Sequence, residues 1–337
     1  MPDRRASSVG GARRMALCLA LFFVCGGAAA IEEVDEVLRV LGGHGIAFDP
    51  AVAKRAAIEG LLKTVDPFAR LLSEQEALCV VEERQNARGT PPVLAAEEWP
   101  GGLRYLRVGS LFEEGGAALT AQLQSWSETN TAGIVIDLRD ATGDDFDSVA
   151  RVANLFADAG ELLFTTSGGP TNVPNRWVQE GRPPLSWPLA VVVDDRTRQA
   201  AEILAAVLSE CPGAVLVGAQ TRGNPYVREL IPLSGGEMLH IAVRRVVLPN
   251  GVACSQAGVW PDILVTSPDT SPSAGPGSTE PPAATQRDVA LSGRAARNQA
   301  LLDRVGDDAA LGRAVDVLLA LKALGIRAER HAQDIAD

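Results

Sequence analysis

The chain has 337 residues, 46% of them hydrophobic and only 4% aromatic, with a formal net charge of −11. That length suits one globular domain with smaller attachments. The acidic balance excludes a nucleic-acid or anionic-membrane binder, because no basic surplus is available to neutralise phosphates. The basic residues are nearly all arginine, with lysine only at Lys54, Lys63 and Lys322, so a mechanism that needs a mid-chain lysine has none.

Arg4, Arg5, Arg13 and Arg14 precede an apolar run at 15–24 and a small-residue stretch at 26–30. This is the order and size of a secretory signal peptide, too short for a comfortable transmembrane helix. Phe22, Phe23 and Val24 before Cys25 do not suit lipoprotein processing, so residues 1–30 are expected to be cleaved after Ala30 with no stable membrane anchor left. The exported chain, periplasmic or extracellular, would keep 27 basic and 41 acidic side chains, a net of −14. There Cys79, Cys211 and Cys254 form at most one internal bridge. No CxxC pair exists and His44, His240 and His331 are far apart, so neither a metal site nor another cofactor is expected.

Residues 31–83 read as an N-terminal helical segment. Ile31, Val34, Val37, Leu38 and Leu41 recur at helical spacing and stop at Gly42-Gly43. Asp49-Pro50 opens a second helix, and Ser73 with Glu76 makes a capping box for a third. Residues 84–98 are polar, with Gly89, Pro91 and Pro92, and read as a linker. From 99 to 266 strand-like runs at 103–108, 134–138, 162–166, 188–193 and 214–217 alternate with helical stretches at 115–128, 146–159 and 198–209. This predicts an α/β core built on a largely parallel sheet covered by helices. Runs at 227–232 and 238–247 form a hairpin around Ser234-Gly235-Gly236. Residues 267–287, rich in Ser, Pro, Thr and Gly, read as a disordered linker, and 288–337 as a C-terminal helical segment.

Ligands of open α/β sheets sit outside the carboxyl ends of the strands, and two such ends lead into residues 137–145 and 194–204. These segments resemble the C-terminal processing peptidases, or tail-specific proteases, which hydrolyse peptide bonds with a serine and a lysine. Asp66-Pro67-Phe68-Ala69-Arg70-Leu71-Leu72-Ser73 is similar to that family's D-P-Y/H-S-x-Y/F-L-S/D element, Ile134 to Arg139 to I-x-L-D-L-R, and Ala153-Asn154-Leu155-Phe156 to A-x-x-F. Val191 to Leu204 follows V-L-V-N-E-x-S-A-S-A-S-E-I-L, and Gly218 to Asn224 follows G-x-x-T-F-G-K. Leu248-Pro249-Asn250-Gly251 and Gly258-Val259-Trp260-Pro261-Asp262 match T-P-x-G and G-I-x-P-D. The resemblance implies a crotonase/ClpP-like ββα core. It also makes 84–98 the place where the family's PDZ domain is absent, since too few residues remain there to build one.

Laid on these motifs, the nucleophile position is Gln199, the lysine position Asn224, and the supporting polar position falls near Glu210. A glutamine amide is no nucleophile and an asparagine cannot take a proton from a hydroxyl. The N-P-G-G turn reads Ala141-Thr142-Gly143-Asp144, which sets a carboxylate where negative charge must develop. No lysine serves Thr197 or Ser209; His240 reads as a strand residue and Cys211 as a buried thiol.

The strand ends are acidic, with Asp140, Asp144, Asp145 and Asp147 on one and Asp194 and Asp195 on the other. They suit a basic peptide or a divalent cation, or else they cap helices while Arg139, Arg196 and Arg198 neutralise the rest. The reading that follows is an exported, non-catalytic relative that binds peptide or protein segments in the old cleft, lined by Arg139, Gly143, Asp144, Asp195, Thr197 and Ala200. An active peptidase with rewired residues, or a scaffold that binds partners or a second copy through its helices, are the alternatives.

Overall fold

The computed structural model describes residues 25–168, 173–180, 184–254, 257–265 and 293–325. Residues 1–24 of the expected signal peptide and the expected linker at 267–287 lie outside them. The chain divides into two units, residues 1–71 and 72–337.

In the first unit, α1 (Cys25–Gly43) and α2 (Pro50–Val65) are the helices that the apolar spacing predicts, though α1 runs through Ala30 and does not begin at Ile31. Asp49 caps α2 by accepting from Ala51 N at 2.8 Å and Val52 N at 3.4 Å, with Pro50 in the first turn, where its missing N–H costs nothing. Asp66 ends α2 and takes Phe68 N at 2.9 Å before the short strand β1 (Arg70–Leu72). Val37, Val52 and Leu61 stay exposed.

The second unit opens with α3 (Glu74–Arg88), whose capping box is formed as read: Glu76 N donates to Ser73 Oγ at 3.3 Å and Ser73 N to Glu76 Oε2 at 2.8 Å. The expected linker at 84–98 shrinks to 89–92, because 84–88 complete α3 and β2 (Val93–Trp99) is a strand paired antiparallel with β3 (Leu103–Val108). Polarity suggested a loop there, but burial alternates residue by residue along β2, which is how a solvent-facing edge strand reads.

The chain continues through β4 (Ser110–Leu111), α4 (Gly115–Ser125), β5 (Gly133–Asp137), β6 (Thr142–Gly143), α5 (Phe146–Ala153), β7 (Leu162–Gly168), β8 (Asn175–Val178), β9 (Leu189–Val193), α6 (Ala200–Ser209) and β10 (Ala214–Gly218). It ends with β11 (Tyr226–Pro232), β12 (Met238–Val247), β13 (Ile263–Leu264), α7 (Gly293–Val305) and α8 (Ala309–Ala323). The main sheet has the order β13-β10-β9-β5-β3-β2, parallel except for β2, so the α/β reading holds.

Every residue of β5 and β9 is buried, as their apolar runs, which in β5 end at Asp137, require when both faces are covered. Side chains alternate between two cores. Ile134, Ile136, Val191 and Val193 join Leu119, Leu123, Val149 and Ile203 from α4 to α6. Val135, Ala190 and Val192 meet Leu301, Leu311, Val315 and Leu318 from α7 and α8. Each buried Val, Leu or Ile side chain among these contributes about 1.5–3 kcal/mol.

The run at 162–166 does not join the parallel set. As β7 it pairs antiparallel with β12 and β8, and β12 forms the expected hairpin with β11. Its Thr165, Ser167 and Gly168 are only half-buried, so it lacks the two apolar faces of a central parallel strand.

Candidate functional site

The two strand ends meet through one buried hydroxyl. Thr197 is fully buried; its Oγ1 accepts from Asp194 N at 3.1 Å and donates to Leu138 O at 2.9 Å, tying the loop after β9 to the loop after β5. Asp194 Oδ1 accepts from Thr197 N at 2.9 Å and Asp140 N at 3.2 Å, and Arg196 pairs with Asp140 at 2.8 Å and Asp194 at 3.3 Å. Thr197 therefore clips two loops together and is not a surface of the expected cleft. Asp194 caps its own turn and not α6, while Asp195 is exposed.

Helix α6 starts at Ala200, two residues later than expected, because Gln199 holds φ 55° and ψ −125°. Residues with a Cβ rarely adopt that backbone, and holding it costs about 1–3 kcal/mol. Gln199 Oε1 accepts from Thr142 Oγ1 at 2.8 Å, and Thr142 Oγ1 accepts from Arg198 Nε at 3.2 Å. Gly143 lies against the Leu111 carbonyl, where a Cβ would collide, so only glycine permits this approach.

Asp144 does not confront the site with a bare charge. Arg84 and Arg88 of α3 both pair with it, the latter at 3.8 Å. The α5 cap is Asp145, which accepts from Asp147 N and Ser148 N, each at 3.1 Å. Arg139 also turns away from the cleft expectation. It bonds Asp137 Oδ1 at 2.9 Å and Oδ2 at 2.7 Å and reaches Asp308, the N-cap of α8, at 2.7 Å. Tyr105 Oη donates to the same buried Asp137 at 2.9 Å. Burial opposes the Arg139 charge, but Asp137 and then Asp308 outweigh it and raise the guanidinium pKa.

The carboxylate that bonds the loop carrying Asn224 is Glu202, and Glu210 lies elsewhere. Glu210 is the exposed C-cap of α6, bonded by Asn250 Nδ2 at 3.2 Å, and lies roughly 16 Å along the helix from Gln199 at about 1.5 Å per residue. Glu202, one turn into α6, is fully buried. Its Oε1 accepts from Thr221 Oγ1 and from Gly223 N at 2.8 Å, and its Oε2 from Asn224 N at 2.8 Å. Burial raises its pKa while these donors pull the other way. The sequence held the signal, for Glu202 stands at the glutamate of S-A-S-E, three residues after Gln199. Glu202 thus fixes the loop that carries Asn224 beside the start of α6. Asn224 Oδ1 in turn accepts from Arg228 Nε at 2.8 Å.

Cys254 is buried, and burial, with the Glu202 charge adding, pushes its thiol up to about 12. His240 pairs with Leu230 within the β11–β12 hairpin. Lys322 Nζ donates to Gly101 O at 2.6 Å, and Lys54 pairs with Asp35. Among the described residues no three His, Cys, Asp or Glu side chains gather as metal ligands, and no helix is long and apolar enough to cross a membrane.

Comparison with known proteins agrees with this geometry. The model of Peptidase family S41 matches residues 102–265, the span from β3 through β13 that carries both strand ends. Carboxyl-terminal-processing peptidase 1, chloroplastic, of Arabidopsis thaliana is 25% identical over 243 residues, 69% of this chain and 48% of that protein. The C-terminal processing peptidase, chloroplastic, of Tetradesmus obliquus is 28% identical over 179 residues, 52% of this chain and 37% of its own length. The chain thus spans about half or less of these curated relatives. A crystal structure from Parabacteroides merdae, described as a candidate peptidase, shares the fold at a TM-score of 0.53 and 17% identity, over 86% of this chain and 89% of that one. Residues 102–265, the α/β core of this chain, form a Peptidase family S41 domain.

Proposed function

We propose that this chain is a non-catalytic member of its family, a pseudopeptidase that binds peptide or protein segments in the cleft at the start of α6. The observation that carries this reading is the pair of amides at the motif positions: Gln199 on the strained turn and Asn224 on the loop that Glu202 holds. Neither can attack a carbonyl or accept the proton of a hydroxyl. The expected signal peptide supports an exported location. The scaffold of the site is kept while its chemistry is not, which favours recognition over turnover.

The test runs hydrolysis and binding on one sample, with a fluorescent unstructured peptide. Binding without cleavage is expected. Cleavage that persists in Gln199→Ala would overturn the reading in favour of an enzyme with rewired residues. In the reverse direction, the double variant Gln199→Ser with Asn224→Lys is expected to gain slow hydrolysis, because Glu202, Gly143 and the turn are already in place. A serine-reactive fluorophosphonate should label the double variant and not the wild type.

A further inference from the structure

The turn that follows β12 carries the single Asn-Gly step of the chain, Asn250-Gly251. Leu248 N donates to Val252 O and Gly251 N to Leu248 O, each at 2.9 Å, and Gly251 holds φ 79°. The tip is exposed from Pro249 to Val252, with open space where a Cβ on Gly251 would stand. Both ends of the Asn250 amide are engaged: Oδ1 accepts from Val252 N at 2.8 Å, and Nδ2 donates to Glu210 Oε1 at 3.2 Å.

An asparagine loses its amide when the next backbone nitrogen reaches its Cγ. Glycine favours this, because it has no side chain to crowd the ring and the widest choice of backbone angles. The other described asparagines are withheld. Asn86 and Asn298 lie inside α3 and α7, where the next N–H belongs to the helix ladder. Asn175 stands in β8 before Arg176. Asn154 ends α5 and holds Glu180 N through Oδ1 at 2.8 Å. Asn130 precedes the β-branched Thr131, whose N donates to Thr129 O at 2.8 Å. Asn224 precedes Pro225, which has no N–H to give up.

We propose that Asn250 is a site of self-modification: in the folded protein it deamidates to aspartate and isoaspartate, with water as co-reactant. The Gly251 nitrogen gives its proton to hydroxide and bonds to Asn250 Cγ. Nδ2 takes a proton from water and leaves as ammonia, and water then opens the five-membered imide at one of its two carbonyls. The sum is an amide plus water giving a carboxylate plus ammonium. Val252 N–H already sits on Oδ1, the oxygen that gathers charge as the nitrogen adds. Gly251 N must first leave Leu248 O, and an exposed turn closed by so few bonds opens at small cost.

The product reverses one contact. Where Asn250 Nδ2 donated to Glu210, the C-cap of α6, a new carboxylate faces the old one. The tie between the turn and the far end of α6 becomes a repulsion. Isoaspartate also lengthens the main chain by a methylene, which breaks the Leu248–Val252 pairing. The modification needs no ligand, so it stands or falls independently of peptide binding.

The experiment incubates the full wild-type chain in mildly alkaline buffer and follows the Asn250 peptide by mass spectrometry, with isoaspartyl methyltransferase labelling as a second readout. A gain of one mass unit at Asn250 is expected, roughly tenfold or more faster than at any other asparagine. Asn250→Gln, whose ring would need six members, is expected to stop it. In the modified form, isolated by anion exchange, hydrogen exchange should rise at 248–252 and in the last turn of α6. Glu210→Gln should convert as wild type does but leave α6 exchange unchanged, because glutamine can donate to the new carboxylate. An Asn250 that survives in the folded protein while the urea-unfolded chain converts would overturn the proposal, as would conversion no faster than at other asparagines. Unchanged α6 exchange in modified wild type would overturn the link to Glu210.

Discussion

Replacing Glu202 by glutamine asks how the loop carrying Asn224 is held. Glu202 Oε1 serves Thr221 Oγ1 and Gly223 N, and Oε2 serves Asn224 N. Glutamine can set its oxygen on only one side. The better choice keeps Thr221 and Gly223 and turns an NH2 toward the Asn224 N–H, donor against donor. An unsatisfied buried donor costs about 1–3 kcal/mol, and removing a buried charge offsets part of it, so a net loss of about 1–2 kcal/mol is expected at neutral pH. For a core of this size that is a fall of roughly 2–8 °C in melting temperature.

The pH dependence supplies a second handle. Burial raises the Glu202 pKa in the folded state. Its contribution to stability is therefore present below the ordinary carboxylate range and lost as pH rises through the raised folded value. Glutamine has no such term, so the gap between wild type and variant should widen toward acid. Melts followed by circular dichroism at mildly acidic and neutral pH check both points. A variant that melts with or above wild type at both pH values would refute the idea that these donors hold a carboxylate.

Other consequences follow from the same contacts. Arg139→Ala strips the fully buried Asp137 of its charge partner, and should cost about 3–5 kcal/mol in urea unfolding, whereas Arg196→Ala at the exposed Asp140 pair should leave the urea midpoint nearly unchanged. Gly143→Ala drives a Cβ into the Leu111 carbonyl at a positive φ, and should lower stability by about 1–3 kcal/mol. Peptide mapping after brief alkylation at neutral pH should find the exposed Cys79 labelled and Cys254 protected until the protein is unfolded, since burial pushes the Cys254 thiol up to about 12.

What could be read from residues alone depended on how local the cause was. β5 and β9 were legible because a strand covered on both faces must be apolar throughout, and the caps at Asp49 and Ser73 because their partners lie within three residues. β2 was not, since an edge strand with Glu97 and Glu98 looks like a loop until its partner β3 is placed. The start of α6 was missed by two residues because nothing in the letters announces a positive φ at a glutamine. Glu202 was visible as a motif residue, but its role needed the loop at 221–224 folded onto it.

The acidic strand ends changed meaning for the same reason. Their partners are distant in sequence: Asp144 meets Arg84 across 60 positions, and Arg139 meets Asp308 across 169. Once those partners are placed, Asp137, Asp140, Asp144 and Asp194 each have an arginine, and Asp145 has a helix start. Much of the negative charge at the strand ends is therefore engaged within the protein. The strained turn at Gln199 fits the same logic. Its cost is borne with no serine present, so the backbone must be over-determined by contacts that owe nothing to catalysis: the Thr197 clip, the Thr142 hydrogen bond and the Glu202 network one turn on. On the proposed reading, the backbone of the site and its chemistry are separable in this fold, so exchanging two side chains is expected to end turnover while the turn and its contacts are kept.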